Sequence, residues 1–146
     1  MPSRVAVVFV AVVCASSLGA QALPLLLRDC TRQQCGWRQA QADRSVLGDG
    51  LRIADLQADD GIGTHAPAEL VWSVPAGQRW FTAWFGVAHE RQRQGSITLS
   101  VHVDGVERFA SPVRRGGDEP LWIAVSVANA RELRLLVGDE IGRAHV

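Results

Sequence analysis

The chain has 146 residues, and its 15 arginines balance 15 acidic residues, so the formal net charge at pH 7 is zero. This neutrality argues against the basic surface on which nucleic-acid binders depend, and no nucleic-acid partner is expected. The length suits one domain with a sizeable hydrophobic core.

The first 22 residues have the pattern of a secretory signal peptide. Arg4 precedes an uninterrupted apolar run from Val5 to Cys14, and small residues follow as far as Ala22. The run is shorter than the roughly 20 apolar residues that span a bilayer, so no membrane span is expected in the mature chain. The pattern predicts cleavage after Ala22, a secreted or extracytoplasmic protein, and a single module over residues 23–146. The alternative is a buried N-terminal helix or strand.

Two cysteines remain after such a cleavage. Cys30 and Cys35 are separated by a short polar stretch, and cysteines this close in an exported protein commonly form a small-loop disulfide. Without a nearby pair of histidines they cannot complete a four-ligand zinc site. We therefore expect a disulfide between Cys30 and Cys35 that tethers the segment before the core.

The residues after position 50 alternate between apolar and polar, which indicates half-buried β-strands. The clearest alternating segments are Leu70–Val74, Ile97–Val103, Leu121–Val127 and Leu133–Val137. Trp80–Val87 is apolar on both faces, which is typical of a strand in the middle of a sheet. Asp104-Gly105 favours a type I′ turn between two of the strands. Short strands separated by Gly, Pro and Asp turns predict an all-β fold, an antiparallel β-sandwich.

Three short motifs look catalytic or cofactor-binding, but each lacks a part that the chemistry needs. Gly61–Ala66 matches the dinucleotide fingerprint, yet Pro67 and a strand pattern follow where a helix must begin. His89–Arg93 resembles a zinc-protease motif in which an arginine replaces the second histidine. Asp59 and Asp60 are adjacent, so in an extended chain their carboxylates point to opposite sides. We therefore predict no enzyme activity and no cofactor, with a structural calcium ion left open.

Five segments of the chain together resemble the sequence pattern of one protein family. They are Asp43–Gly48, Gly61–Trp72, Trp80–Val87, Arg114–Asp118 and Arg131–Val137. In this order they resemble the NPCBM family of carbohydrate-binding modules, which are often attached to bacterial and fungal glycosidases such as α-galactosidases. The resemblance covers roughly residue 36 to the C-terminus. It implies a galactose-binding-like jelly roll that binds sugar without turnover.

A sugar site needs an aromatic face for the C–H side of the ring and hydrogen-bonding groups for its hydroxyls. On a sandwich such groups should lie in loops at one end. The candidate ligand-binding residues are Trp37, His65, His89, Glu90, Arg93, Arg115 and Asp118. Each candidate also has a structural alternative. These are a packed anchor in the entry loop for Trp37, a structural role for His65 in its glycine-rich loop, a solvated charged loop over residues 89–93, and an ion pair between Arg115 and Asp118.

The other four tryptophans, Trp72, Trp80, Trp84 and Trp122, fall on predicted strands. Trp72 and Trp84 are expected in the core, because a large aromatic side chain on a strand is usually buried. Trp122 faces away from Ile123 in the alternating pattern. It is therefore expected to be partly exposed or covered by another strand.

The sequence departs from the family in two places. Ala88-His89-Glu90 stands where family members usually continue with acidic residues, which weakens an acidic ligand role at the first of these positions. Family members also continue past Asp139 with an Asp-His-x-Asp-Trp-type segment and a last strand, whereas this sequence ends at Val146. The resemblance therefore implies an exposed sheet edge, unless another strand covers it.

Together these patterns predict a secreted, non-catalytic carbohydrate-binding module with a glycan as its ligand. Two alternatives stay open. One is a structural or protein-interaction β-sandwich of the cell surface, and the other is a fragment of a longer glycoside hydrolase.

Overall fold

The computed structural model describes residues 6–14, 23–35, 40–42, 51–58, 60–88 and 95–139. This part of the chain consists of strands and connections, with one 3₁₀ turn at Leu27–Asp29. The first seven strands are β1 (Ala6–Cys14), β2 (Leu23–Pro24), β3 (Cys30–Cys35), β4 (Gln41–Ala42), β5 (Leu51–Ile53), β6 (Leu56–Ala58) and β7 (Ile62–His65). The next seven are β8 (Ala68–Ser73), β9 (Trp80–Val87), β10 (Ser96–Val103), β11 (Val106–Ala110), β12 (Arg114–Arg115), β13 (Leu121–Ser126) and β14 (Glu132–Asp139).

The strands form two packed sheets and one separate hairpin. Sheet A has the order β13-β9-β1-β7-β4, with β2 beside β1. Sheet B has the order β11-β10-β14-β8-β3, with β12 beside β10, and β5 pairs with β6. Every described pairing is antiparallel. The predicted antiparallel β-sandwich is therefore confirmed.

The core lies between the two sheets, and the alternating residues build it. In β10 the four apolar residues from Ile97 to Val103 are buried, whereas the polar residues between them are half-buried. The alternate residues of β13 and β14 bury their apolar side chains in the same way. Phe81 and Phe85 of β9 are fully buried in this core. Burial of each such large side chain stabilises the fold by about 1.5–3 kcal/mol. The apolar contacts between the two sheets therefore hold the sandwich together.

Sheet A contains the segment that the sequence pattern predicts to be the apolar part of a signal peptide. Residues 6–14 form β1, which lies between β9 and β7 and pairs with both. The backbone thus forms an N-terminal strand, which belongs to the alternative reading of this segment. Cleavage after Ala22 stays a prediction, and Ala22 itself lies outside the described residues.

The hairpin between β10 and β11 is closed by Asp104 and Gly105. Both residues have positive φ, 50° and 82°, as a type I′ turn requires, so the predicted hairpin is confirmed. The Asp104 carboxylate also accepts hydrogen bonds from the backbone N–H groups of Arg131 and Glu132, each at 2.9 Å. Both bonds lower the pKa of Asp104, and the bond from Glu132 has the larger effect. They also hold the start of β14 against the turn.

The β5–β6 hairpin covers the outer face of β9 near Gly86. Leu51 and Ile53 are buried there and form a second apolar cluster with Ala88. A Cβ on Gly86 would lie 2.5 Å from Cγ2 of Ile53, well inside van der Waals contact. The hairpin can lie this close because position 86 has no side chain.

Glu69 of β8 links the three strands β3, β8 and β14 on the outer face of sheet B. Its two carboxylate oxygens lie 2.9 Å from Nε of Arg32 and 2.7 Å from Nε of Arg134. The Glu69 side chain is 13 % exposed. The hydrogen bond from Arg32, followed by the charges of both arginines, lowers the pKa of Glu69.

The predicted disulfide between Cys30 and Cys35 is wrong for this fold. Both cysteines are thiols at opposite ends of β3. An extended strand rises about 3.3 Å per residue, so the two Cα atoms are roughly 16 Å apart. A disulfide needs Cα atoms within about 7 Å. Pairing of β3 with β8 therefore prevents the small loop that the spacing suggested.

We expect Gly86→Ala to destabilise the protein by about 1–3 kcal/mol, because its methyl group overlaps Ile53. Ile53→Ala alone should also destabilise, by about 2–5 kcal/mol, because it leaves a cavity. The double variant should lose clearly less than the sum, since the second change removes the atom that clashes. Urea unfolding of the four proteins measures this coupling. Additive losses would show that Ile53 does not restrict position 86.

Glu69→Gln should reduce stability at neutral pH and leave little difference in acid. The folded-state pKa of Glu69 is below the unfolded value of about 4.3, so its contribution is complete above that pH and disappears as the pH falls through the folded pKa. Thermal unfolding of both proteins between about pH 3 and about pH 7 tests this. Glu107→Gln, an exposed carboxylate on β11, is the control. A pH-independent gap between wild type and Glu69→Gln would contradict the ion-pair account.

We expect Cys30 and Cys35 to be recovered as separate alkylated residues when the folded chain is unfolded in the presence of an alkylating agent and digested. Burial raises the pKa of the Cys30 thiol to about 11, so Cys30 should react with iodoacetamide at about pH 8 far more slowly in the folded than in the unfolded chain. Peptide mapping by mass spectrometry measures both results. A digest in which the two cysteines remain joined would restore the disulfide.

Candidate functional site

The strand pairing brings to one end of the sandwich the strand ends that flank the predicted ligand-binding segments. Two residues join the end of β7 in sheet A to Ala68 at the start of β8 in sheet B. In the same direction β9 ends at Val87, and β10 begins at Ser96, which pairs with Arg115. Cys35, the last residue before the Trp37 segment, pairs with Ala68. We call this the upper end, and the opposite end, at Trp80 and Val103, the lower end.

Four of the seven candidate residues lie outside the described residues. They are Trp37, His89, Glu90 and Arg93. The strands on either side of them end at the upper end, with β3 before Trp37 and β9 and β10 around the 89–93 segment. Their contact with a ligand stays a prediction.

His65 lies at the end of a strand rather than in a loop, and its contact with a ligand stays a prediction. It is the last residue of β7, and it is 1 % exposed. Its backbone N–H donates to Sγ of Cys35 at 3.1 Å, and the neighbouring Thr64 hydroxyl donates to the same sulfur at 3.0 Å. The glycine-rich segment therefore forms part of sheet A, and His65 has a structural position in it.

Arg115 and Asp118 stand at a tight turn at the upper end. One carboxylate oxygen of Asp118 accepts a hydrogen bond from the backbone N–H of Arg115 at 2.7 Å, and the Asp118 N–H donates to the Arg115 carbonyl at 3.0 Å. Gly117 has a φ of 90°, which the turn requires. Asp118 thus shapes the turn through the backbone rather than through an ion pair of side chains. Arg115 is exposed, so its guanidinium faces solvent.

The outer face of sheet A carries a pair of tryptophans that are not among the ligand-binding residues predicted from the sequence. Trp122 of β13 and Trp84 of β9 are cross-strand partners, and their ring centroids are 4.9 Å apart at an interplanar angle of 56°. Trp122 is 45 % exposed, whereas Ile123 beside it is buried. Trp84 is half-buried rather than in the core, but Trp72 is buried as predicted. The alternation in β13 indicated the exposure of Trp122, and only the register shows its partner.

Trp122 lies close to the upper end in the strand ladder. It is the second residue of β13, and Leu121 before it pairs with Phe85, two residues from the end of β9. The segment that contains the Arg115 turn leads directly into β13. Within that segment the Arg114 guanidinium donates to the carbonyl of Glu119, which ties the turn to the start of the strand. The exposed ring and the exposed arginine thus belong to one short stretch of chain.

Two open grooves lie at the lower end. Their volumes are about 500 and 540 Å³, and they share Ala128 and Ala130. Arg108 lines the first and Arg79 the second. Neither groove is lined by an aromatic side chain, so neither offers a face on which a sugar ring stacks.

The structure gives no sign of a metal centre in the residues that it describes. Over residues 23–35, 51–58, 60–88 and 95–139, no three His, Cys, Asp or Glu side chains are grouped so that they could hold a metal ion. No helix within the described residues is long and apolar enough to cross a membrane. The prediction of no cofactor stays a prediction.

Comparison with known proteins shows related sequences and folds. The NPCBM/NEW2 domain matches residues 25–145. A protein named "Putative endo-alpha-N-acetylgalactosaminidase" from Renibacterium salmoninarum is 29 % identical over 108 residues, which are 70 % of this chain and 7 % of that protein. The chain thus spans about 7 % of the length of this relative.

Solved structures resemble most of the chain. The CBM51 of Clostridium perfringens GH95, solved in complex with methyl-galactose, is 26 % identical with a TM-score of 0.73, over 79 % of this chain and 86 % of that one. The CBM51-2 and INT domains of Clostridium perfringens ZmpB are 20 % identical with a TM-score of 0.72, over 93 % of this chain and 34 % of that one, and this second likeness concerns the fold. The sequence resemblance is confirmed, and the chain belongs to the NPCBM/NEW2 domain family.

Proposed function

We propose that the chain is a non-catalytic carbohydrate-binding module that binds glycan at its upper end and acts outside the cytoplasm beside a glycosidase. Its family, and its similarity to a CBM51 that was solved with methyl-galactose, support a sugar ligand. The name of the Renibacterium salmoninarum relative supports the association with a glycosidase. Because the chain corresponds to so small a part of that relative, hydrolysis would belong to other parts of such a protein.

The exposed Trp122 ring is the observation that carries the site. The C–H face of a pyranose is apolar and stacks on an indole, which gains contact area without losing a hydrogen bond. Trp84 packs against Trp122 at 4.9 Å and limits the rotamers that Trp122 can adopt. A ring that is already held in place loses little conformational entropy when it binds, which favours affinity.

Arg115 supplies the polar complement of this surface. Its guanidinium presents a rigid fork of donors to sugar hydroxyls, and Asp118 holds the turn that carries it. Trp37, His89, Glu90 and Arg93 would extend the surface from the neighbouring loops. In this arrangement the ligand lies across the upper end, with its ring on Trp122 and its hydroxyls toward the loops.

Three acidic groups of the described residues make contacts that stabilise the fold, which fits a module without turnover. A glycosidase needs two carboxyl groups that face one scissile bond. Glu69 bridges two arginines in sheet B, Asp104 holds two backbone N–H groups of β14, and Asp118 closes its turn. These three carboxylates stabilise the fold at separate places, so they do not form such a pair.

We expect Trp122→Ala to weaken glycan binding by about tenfold or more, because the loss of a stacked ring costs on the order of 1–2 kcal/mol. Titration calorimetry of the wild-type chain and the variant would follow a screen of galactose- and N-acetylgalactosamine-terminated glycans. Val106→Ala is the matched control, since Val106 is 51 % exposed on the other sheet. Thermal unfolding should show that both variants are folded.

Arg115→Ala would be compared with Arg79→Ala, an exposed arginine at the lower end. Arg115→Ala should weaken glycan binding, and Arg79→Ala should not.

Wild-type affinity in a folded Trp122→Ala variant would reject the stacking surface, although the module could still bind sugar elsewhere. A folded wild type that binds no glycan of the panel would reject the proposed function in favour of a protein-interaction domain.

A further inference from the structure

We propose that the position between β7 and β9 in sheet A is an acceptor site for an extended apolar strand, and that Ala6–Cys14 is the strand that it takes. The site would bind this strand also when the covalent link to the rest of the chain is cut. The inference does not depend on the proposed sugar ligand.

The register shows that β1 is held along both edges. It pairs with β9 from Val7 opposite Val87 to Cys14 opposite Trp80, and with β7 from Ala6 to Phe9. Because both pairings are antiparallel, β7 and β9 run parallel to each other. Strands lie about 4.8 Å apart, so without β1 the two edges would be separated by about 10 Å, too far to hydrogen-bond. The position therefore accepts one strand in one direction.

The two edges that face β1 are apolar and buried. Phe81, Ala83 and Phe85 of β9 are fully buried, and Ile62 of β7 is 1 % exposed. Without a strand between them, backbone N–H and C=O groups would lose their partners in the middle of the sheet, at a cost of about 1–3 kcal/mol for each buried group. Such a site, with two rows of backbone donors and acceptors over an apolar floor, recognises an extended peptide.

The sequence of the segment matches this site. Ala6–Cys14 carries no charge and contains five valines, which favour extended backbone. The register places positions 7, 9, 11 and 13 opposite four buried core residues of β9: Val87, Phe85, Ala83 and Phe81. The segment therefore runs beside a row of buried apolar residues of β9. An uncharged, apolar segment suits such a position.

The same segment is the apolar part of the predicted signal peptide. Cleavage after Ala22 would separate β1 from β2 and from everything that follows. A processed chain would then either keep the released strand non-covalently or offer the position to a strand of the same pattern. Processing and completion of sheet A are thus coupled through one segment.

The first test keeps the full chain and cuts it after folding. A protease site placed in the 15–22 segment, which links β1 to β2, allows the link to be cleaved in the folded protein. We expect the N-terminal fragment to co-elute with the remainder in size-exclusion chromatography and to exchange with a labelled peptide of residues 5–15. The same peptide with Ala11→Pro, which removes a ladder N–H, should not exchange.

Release of the fragment without any change in circular dichroism or thermal midpoint would overturn the proposal. If release is accompanied by unfolding, addition of the peptide decides between the outcomes. Recovery of the strand signal supports the acceptor site, and failure to recover it rejects the site.

A second test checks the register directly. Cys14 is the partner of Trp80, and the Cα atoms of antiparallel partners are about 4.5–5.5 Å apart, within the range of a disulfide. Mild oxidation of the Trp80→Cys variant should therefore link the new thiol to Cys14. Arg79→Cys, one residue before the pairing begins, is the control and should not be linked. A folded Trp80→Cys variant in which Cys14 remains a thiol would contradict the position of β1.

Discussion

A strand that is apolar on both faces has to be covered on both faces, and β9 is such a strand. Phe81 and Phe85 turn toward sheet B and lie in the main core. On the other face the β5–β6 hairpin reaches Gly86, and Trp84 packs against Trp122. Its two edges are taken up by β13 and β1. The outer hairpin, the tryptophan pair and the N-terminal strand are thus three ways of shielding one element from water.

The sequence predicts those parts of the fold that depend on local patterns. Alternation identified β10, β13 and β14, because a strand with one buried face must repeat every two residues. Asp104-Gly105 identified its hairpin, because few residues tolerate positive φ at both turn positions. The central position of β9 followed from the apolar character of both its faces. In each case neighbouring residues carry the whole signal.

Pairings between distant segments explain what the sequence did not predict. The Cys30–Cys35 spacing suggests a small loop, but Cys35 lies on a strand that pairs with Ala68. The glycines around residue 62 suggest a loop, but Gly63 pairs with Val8 on one side and Gln41 on the other. His65 is buried for the same reason. Trp122 was recognised as partly exposed, while its contact with Trp84 depends on a register that no single strand encodes.

The tryptophan pair and the strand-acceptor site are connected through β9. Val10 and Trp122 are the two cross-strand partners of Trp84, one on each edge of β9. A strand with a free edge fluctuates more than one that is paired on both sides, because its backbone lacks half of its hydrogen bonds. If both proposals hold, an occupied acceptor position would therefore keep Trp84, and through it Trp122, in a fixed arrangement. By thermodynamic linkage a glycan that prefers this arrangement would in turn strengthen the binding of the strand.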